Sequence, residues 1–288
     1  MYHKMGKYLE NNYYFLKLYN GLRNVFYGLS NKEPVIVYQM GKVGSTTLLR
    51  TLSQFEIGLP VYQIHSLDPT ELDGVMDRYR KGRRIAPGHH YYSGRYFSKQ
   101  IQNDSIKRRW KVISIVREPV ARNISAFFQN LDLYVDETLV KETSPELATA
   151  ELTRIFLERY QHDYPLNWFD NEIKRYLGVD VYSKRFPIDR GFEIFAGTSA
   201  DVLVLRCEDL NEKAGEAIEE YLGIKVVRLK DANVGATKDY STLYSSFKTK
   251  IALPESYIDE MYSSRFARHF YSDEELNNFR DKWLSRTF

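Results

Sequence analysis

The sequence predicts an α/β fold: a doubly wound, mostly parallel sheet flanked by helices, with a helical insertion. Two strand–loop–helix units and one long helical stretch carry that prediction. Val35-Ile-Val-Tyr38 is a short β-branched apolar run. A loop with Gly41, Lys42, Gly44 and Ser45 follows it, and Thr46, Thr47, Leu48, Leu49 and Leu52 then fit a helix. Lys111-Val-Ile-Ser-Ile-Val116 reads as a buried strand ending on Arg117. The chain turns at Glu118-Pro119, and Val120, Ile124, Phe127, Phe128 and Leu131 recur at helical spacing. The third observation is a long helical pattern from Pro145 to Tyr160.

Taken in chain order, residues 1–33 form an N-terminal amphipathic segment and residues 34–288 one α/β domain. Tyr14, Leu18, Leu22 and Phe26 are spaced four apart, which favours a helix packed on this domain or a partner over one lying peripherally on a membrane. Strands are expected at 35–39, 61–65, 111–116 and 202–206, and helices at 45–55 and 119–131. Residues 140–195 read as a helical insertion on the acceptor side, turning aromatic and polar through Tyr164-Pro-Leu-Asn-Trp-Phe-Asp170. There is no internal repeat and no low-complexity segment.

Composition narrows the function classes. A chain of 288 residues has room for one large domain with a sizeable core. A formal charge of +3 suits an anionic cofactor and does not indicate nucleic acid. The short basic runs Lys81-Gly-Arg-Arg84 and Lys107-Arg-Arg109 read as solvated surface. The single cysteine, Cys207, rules out an internal disulfide framework and fits a reducing compartment. No apolar run is long enough to span a bilayer, and residues 1–30 lack the apolar core of a signal peptide, so a cytoplasmic protein is expected.

The first loop is built for an anion. First-turn N–H groups have no partner inside their helix, and the helix dipole favours negative charge there. Lys42 adds a positive charge, and Ser45, Thr46 and Thr47 add hydroxyl donors. The order is not that of an ATP-binding loop, which needs four residues between its first Gly and a Gly-Lys-Ser/Thr triplet. Arg117 ends its strand at the edge where open α/β sheets place ligands, with Ser125 about two helical turns further on. By itself each segment also fits a bland reading, as a capped βα connection or as a structural ion pair of Arg117 with Glu118.

Together, in this order, the two segments resemble the PAPS-dependent sulfotransferases (PAPS is 3′-phosphoadenosine-5′-phosphosulfate), whose fold is P-loop-like. Lys42-Val-Gly-Ser-Thr-Thr47 resembles their 5′-phosphosulfate loop, and the Arg117–Ser125 segment their 3′-phosphate site. Val202-Leu-Val-Leu-Arg-Cys-Glu-Asp-Leu210 resembles the family's late strand, with Cys207 where a Tyr is usual. Asn233-Val-Gly-Ala-Thr-Lys238-Asp-Tyr240 resembles the loop that closes over the nucleotide, which implicates Lys238. Asn167-Trp-Phe-Asp-Asn-Glu-Ile173, Gly178-Val-Asp-Val-Tyr182 and the segment His269 to Trp283 look closest to a bacterial branch named for capsular polysaccharide synthesis. The resemblance runs from Pro34 to Trp283.

The resemblance implies PAPS as sulfuryl donor, PAP as product, no metal, and a carbohydrate or other hydroxyl acceptor. Lys42 then stabilises the leaving phosphate oxygen, and the N–H groups of Val43, Gly44, Ser45, Thr46 and Thr47 hold the 5′-phosphate. Among six histidines, family members acting on polysaccharides imply His89 as first choice of base, His65 second and His90 third. A carboxylate such as Glu118 is a weaker choice, because Pro119 beside it indicates a turn. His162 and His269 read as structural, and His3 lies in the terminal tail. The sequons at Asn103 and Asn123 read as chance matches, since a glycan at Asn123 would crowd Ser125. Two other classes stay open: a P-loop-type nucleotide-binding or kinase-like protein, and a non-catalytic PAP-binding scaffold.

Overall fold

The computed structural model describes residues 17–22, 25, 32–54, 58–80, 87–103, 108–135, 145–225, 241–251 and 253–284. Its centre is a five-stranded, mostly parallel sheet flanked by helices. The strands are β1 (Val35–Tyr38), β2 (Val61–Ile64), β3 (Trp110–Val116), β4 (Phe192–Ala196) and β5 (Ala200–Arg206), in the order β2-β1-β3-β5-β4. Only β4, on one edge, runs antiparallel to its neighbour. The central strands are near-continuous apolar runs because both of their faces are covered: every residue of β1 is buried, as are all but one of β3 and of β5. β2 lies at the other edge and alternates half-buried and buried positions.

The helices are α1 (Ser45–Gln54), α2 (Pro69–Arg80), α3 (His89–Ile101), α4 (Pro119–Gln129), α5 (Pro145–Arg159), α6 (Tyr164–Trp168), α7 (Leu210–Leu222), α8 (Ser241–Lys250), α9 (Glu255–Ser263), α10 (Arg265–Phe270) and α11 (Asp273–Leu284). α6 runs on through a π-helical turn, Phe169–Lys174, into Arg175–Leu177. Among the described residues no helix is long and apolar enough to cross a membrane.

The strand order fixes where a ligand can sit. β1 pairs with β2 on one side and β3 on the other, with Val35 in register with both Val61 and Lys111. The chain leaves β1 toward β2, then crosses to β3 and continues outward to β5. The order therefore reverses between β1 and β3, and the loops at their carboxyl ends diverge to leave a crevice.

The expected strands and helices form within one or two residues of their anticipated limits. Phe192–Ala196 differs: it was expected inside a helical insertion, and it forms β4. Its periodicity is too short to read alone; pairing with the buried β5, from Phe192 opposite Leu205 to Ala196 opposite Asp201, makes it a strand. The C-terminal helices are tied to the sheet by Arg206 at the end of β5. Its buried guanidinium pairs with Asp209 and Glu275 and donates to the Phe270 carbonyl.

Candidate active site

The loop after β1 is shaped by backbone sterics. Lys42 has φ 76° and Gly44 φ 87°. At Gly44 a Cβ would also lie 3.1 Å from Cys207 Sγ and 3.2 Å from Leu210 Cδ1, so a side chain there would be strained and tightly packed. Two guanidiniums from the β3–α4 unit hold the loop from behind. Arg117 Nη1 donates to the Lys42 carbonyl at 2.9 Å, and Arg122 Nε to the Gly41 carbonyl at 3.1 Å. At the start of α1 the Thr47 N–H donates to the Gly44 carbonyl at 3.2 Å, and the first-turn N–H groups ahead of it have no acceptor one turn back in the helix. Gln63 of β2 donates to Ser45 Oγ at 3.0 Å and fixes that hydroxyl.

Glu118 orients α4. Its carboxylate caps the helix, accepting from the N–H groups of Val120 and Ala121, both at 2.8 Å, and from the Tyr262 hydroxyl at 2.6 Å. Burial raises its pKa, but its oxygens are occupied in capping, which leaves it no role at a substrate.

A cleft of about 1160 Å³ opens at the carboxyl ends of β1, β2 and β3. Of the residues nominated from the sequence, Lys42, Gly44, Ser45, Thr46, Thr47, His65, Arg117 and Ser125 line it. The Val43 side chain is fully buried in the core, so only its backbone is available to the loop. Lys238 and the rest of 233–240 lie outside the described residues.

His89 is not brought into this cleft. It is exposed at the start of α3, with Nδ1 3.1 Å from the Asn20 amide and its ring edge-on to Tyr19. His65 and the next residue, His90, line the cleft instead, with ring centroids 4.5 Å apart. His65 Nδ1 lies 2.9 Å from the Gln39 carbonyl. A carbonyl only accepts, so Nδ1 carries the hydrogen and Nε2 keeps its lone pair. Burial lowers the His65 pKa, and the Arg122 and Lys42 charges lower it further. Burial and the two neighbouring histidines push His90 down to about 3. Its ring packs on Gly88, where a Cβ would lie 2.8 Å from His90 Cε1. Of the histidines read as structural, His162 donates or accepts at both nitrogens, to the Phe156 carbonyl and the Tyr257 hydroxyl.

Sequence reasoning missed Glu172. It is buried in the π-helical turn, and it lines the cleft. Its carboxylate accepts from the Tyr38 hydroxyl at the end of β1, from Ser66 Oγ at 2.7 Å and from the Leu67 N–H at 3.0 Å. Trp168, one turn earlier, donates to the His65 carbonyl at 3.4 Å. The residues that follow β2, His65 among them, are thus clamped by α6 and its π-turn. Burial raises the Glu172 pKa above the usual carboxylate range. The quoted segment Asn167–Ile173 contained the signal, a carboxylate among aromatics, but a π-turn breaks the 3.6-residue period from which its face would be read.

Residues 148–272 match the family described as "Putative capsular polysaccharide synthesis protein". This chain is similar to that family over less than half of its length, from α5 to just beyond α10. The match includes Glu172 and Arg206 and excludes the β1 loop, His65, Arg117 and Ser125. No curated protein matches the chain, and no solved structure does.

Proposed function

We propose that this protein is a sulfotransferase that moves the sulfuryl group of PAPS to a hydroxyl of a carbohydrate acceptor in polysaccharide synthesis. One observation carries the reading: the Lys42–Thr47 loop and the Arg117–Ser125 pair line one cleft at the switch point of the sheet. The donor set fits a ligand with two separate phosphates, since one cation and a run of N–H and hydroxyl donors follow β1, and a second cation with a hydroxyl follows β3. The description of the family matched over 148–272 supports the carbohydrate part.

Bound PAPS supplies a sulfuryl group on its 5′-phosphate; the bond from sulfur to that phosphate oxygen breaks as one to the acceptor oxygen forms. Arg117 and Ser125 grip the 3′-phosphate, which distinguishes this ligand from ordinary adenine nucleotides. First-turn N–H groups and the Ser45, Thr46 and Thr47 hydroxyls hold the 5′-phosphate. Lys42 offsets the charge that grows on the leaving oxygen. His65 Nε2 takes the proton of the acceptor hydroxyl, with Nδ1–H anchored on Gln39 so that the lone pair stays aimed. This gives His65 the base role for which the family resemblance ranks His89 first, because His65 lines the cleft and His89 does not.

Thermal shift with PAP and 5′-AMP, followed by transfer of labelled sulfate from PAPS to glycan acceptors, tests the reading. PAP stabilises the protein more than AMP does, and sulfated glycan accumulates. Equal shifts with the two nucleotides overturn the 3′-phosphate site. A PAP-specific shift without transfer to any hydroxyl acceptor leaves the scaffold reading in place of the enzyme.

A further inference from the structure

Arg122 is buried without a counter-charge. It is 5% exposed, yet among the described residues no carboxylate pairs with it. Arg206 is buried to the same degree and meets two carboxylates, those of Asp209 and Glu275. A buried charge is costly unless an opposite charge meets it. Arg122 rests instead on neutral oxygens. Nε donates to the Gly41 carbonyl at 3.1 Å, and Nη1 donates to Asn123 Oδ1 at 3.1 Å and to the Tyr160 hydroxyl at 3.0 Å. Nη2, with its two N–H groups, has no acceptor among the described residues.

The guanidinium lines the cleft between the donor loop and the base. Nε ties it to Gly41, the residue before Lys42. Its Cζ lies 4.7 Å from the centroid of the Tyr164 ring, another residue of the cleft wall. Its charge reaches His65, whose pKa it lowers. The Lys42–Thr47 loop and the Arg117–Ser125 pair are already given to the two phosphates of PAPS. The remaining anionic group of that ligand is the sulfuryl group, which has to lie between the leaving oxygen at Lys42 and the acceptor oxygen at His65.

We propose that Nη2 of Arg122 donates to the non-bridging oxygens of the sulfuryl group and holds it in line for transfer. This role rests on the sulfotransferase reading of the cleft. As sulfur passes across, its bond to the 5′-phosphate oxygen breaks and the electron pair stays on that oxygen. The acceptor oxygen bonds to sulfur, and its proton goes to His65 Nε2. The non-bridging oxygens stay on sulfur throughout, so a donor held against them orients the group from start to finish. The anion also screens His65 from the Arg122 and Lys42 charges, which otherwise oppose proton uptake there.

Calorimetric titration of PAPS and of PAP, without acceptor, against the parent and Arg122→Gln tests this. PAP carries both phosphates and no sulfuryl group. A weakened hold on the Gly41 carbonyl lowers affinity for both nucleotides alike, whereas a lost sulfuryl contact lowers it for PAPS alone. Arg122→Gln is expected to raise the Kd of PAPS at least about tenfold more than that of PAP. Arg122→Lys keeps a cation in the same place without the planar fork and shifts the ratio in the same direction, which carries the test if Arg122→Gln does not fold. Equal weakening of PAPS and PAP in the folded variants overturns the role. So does an unchanged Kd for PAPS with a raised KM for the glycan, which assigns the guanidinium to an anionic acceptor. Parent protein that binds neither nucleotide overturns the sulfotransferase reading itself, and this role with it.

Discussion

Arg117 donates from Nη1 to the carbonyl oxygen of Lys42 at 2.9 Å, across 75 residues of sequence. One bond joins the ends of β1 and β3 at the point where the strand order reverses. The same guanidinium therefore both shapes the loop and faces the cleft, and losing it has two effects.

Arg117→Ala is expected to weaken PAP binding about 10–100-fold, because a charge-assisted contact contributes roughly 1.5–3 kcal/mol. AMP binding falls less, through the loosened loop alone. Calorimetric titration of both nucleotides against both proteins checks this, and an equal loss for PAP and AMP rejects Arg117 as a 3′-phosphate ligand.

Lys42→Ala is expected to fold and to lose turnover about 10²–10³-fold, the usual cost of one oxyanion-stabilising donor. Lys42→Gly should lose the same turnover yet melt no lower than Lys42→Ala, because φ is 76° at this position. Steady-state rates and melting curves on the two variants separate the chemical role from the conformational one.

Gly44→Ala is expected to destabilise the protein by about 1–3 kcal/mol, from its φ of 87° and the close approach to Cys207 and Leu210. Adding Cys207→Ala, compared with Cys207→Ala alone, recovers the part due to the sulfur and leaves the Leu210 contact and the conformational part. Urea denaturation of the single and double variants measures each.

His65→Ala should lower transfer about 10²–10⁴-fold with PAP binding kept, whereas His89→Ala stays near parental activity. Burial depresses the His65 pKa from 6.5. The base is therefore neutral throughout the neutral range, and the acid limb of kcat/KM falls below pH 6.5. An acid limb above 6.5, or an active His65→Ala, moves the base elsewhere.

Glu172→Ala should cost about 2–4 kcal/mol, because the Tyr38 and Ser66 hydroxyls and the Leu67 N–H lose their shared acceptor in the interior. Glu172 also gives stability a pH dependence with a definite sign. Its folded pKa is raised above 4.5, so its contribution is full below pH 4.5 and is lost as pH rises through the raised value. Glu172→Gln removes that slope. Denaturation midpoints from about pH 4 to 8 read it directly.

The sequence by itself determined, to within one or two residues, the strands expected at 35–39, 61–65, 111–116 and 202–206, the helices after the first and third of them, and the glycine–lysine loop. Those features are local: an apolar run of β-branched residues, a glycine where φ is positive, and a proline after a carboxylate that caps its helix each act within a few residues. The resemblance to the PAPS-dependent sulfotransferases brought Lys42, Arg117 and Ser125 forward as one group, and all three line the cleft. Only the tertiary structure separates the histidines by place. His65 and His90 share the cleft and His89 faces Asn20, which depends on how α3 lies against β2 and not on any spacing in the chain. Glu172 and β4 belong to the same class. The first needs a π-turn to aim it at Ser66 and Leu67, and the second needs β5 as a template. Contacts between residues 105 or 106 apart, such as those of Glu172, follow from the packing of elements, which no local period encodes.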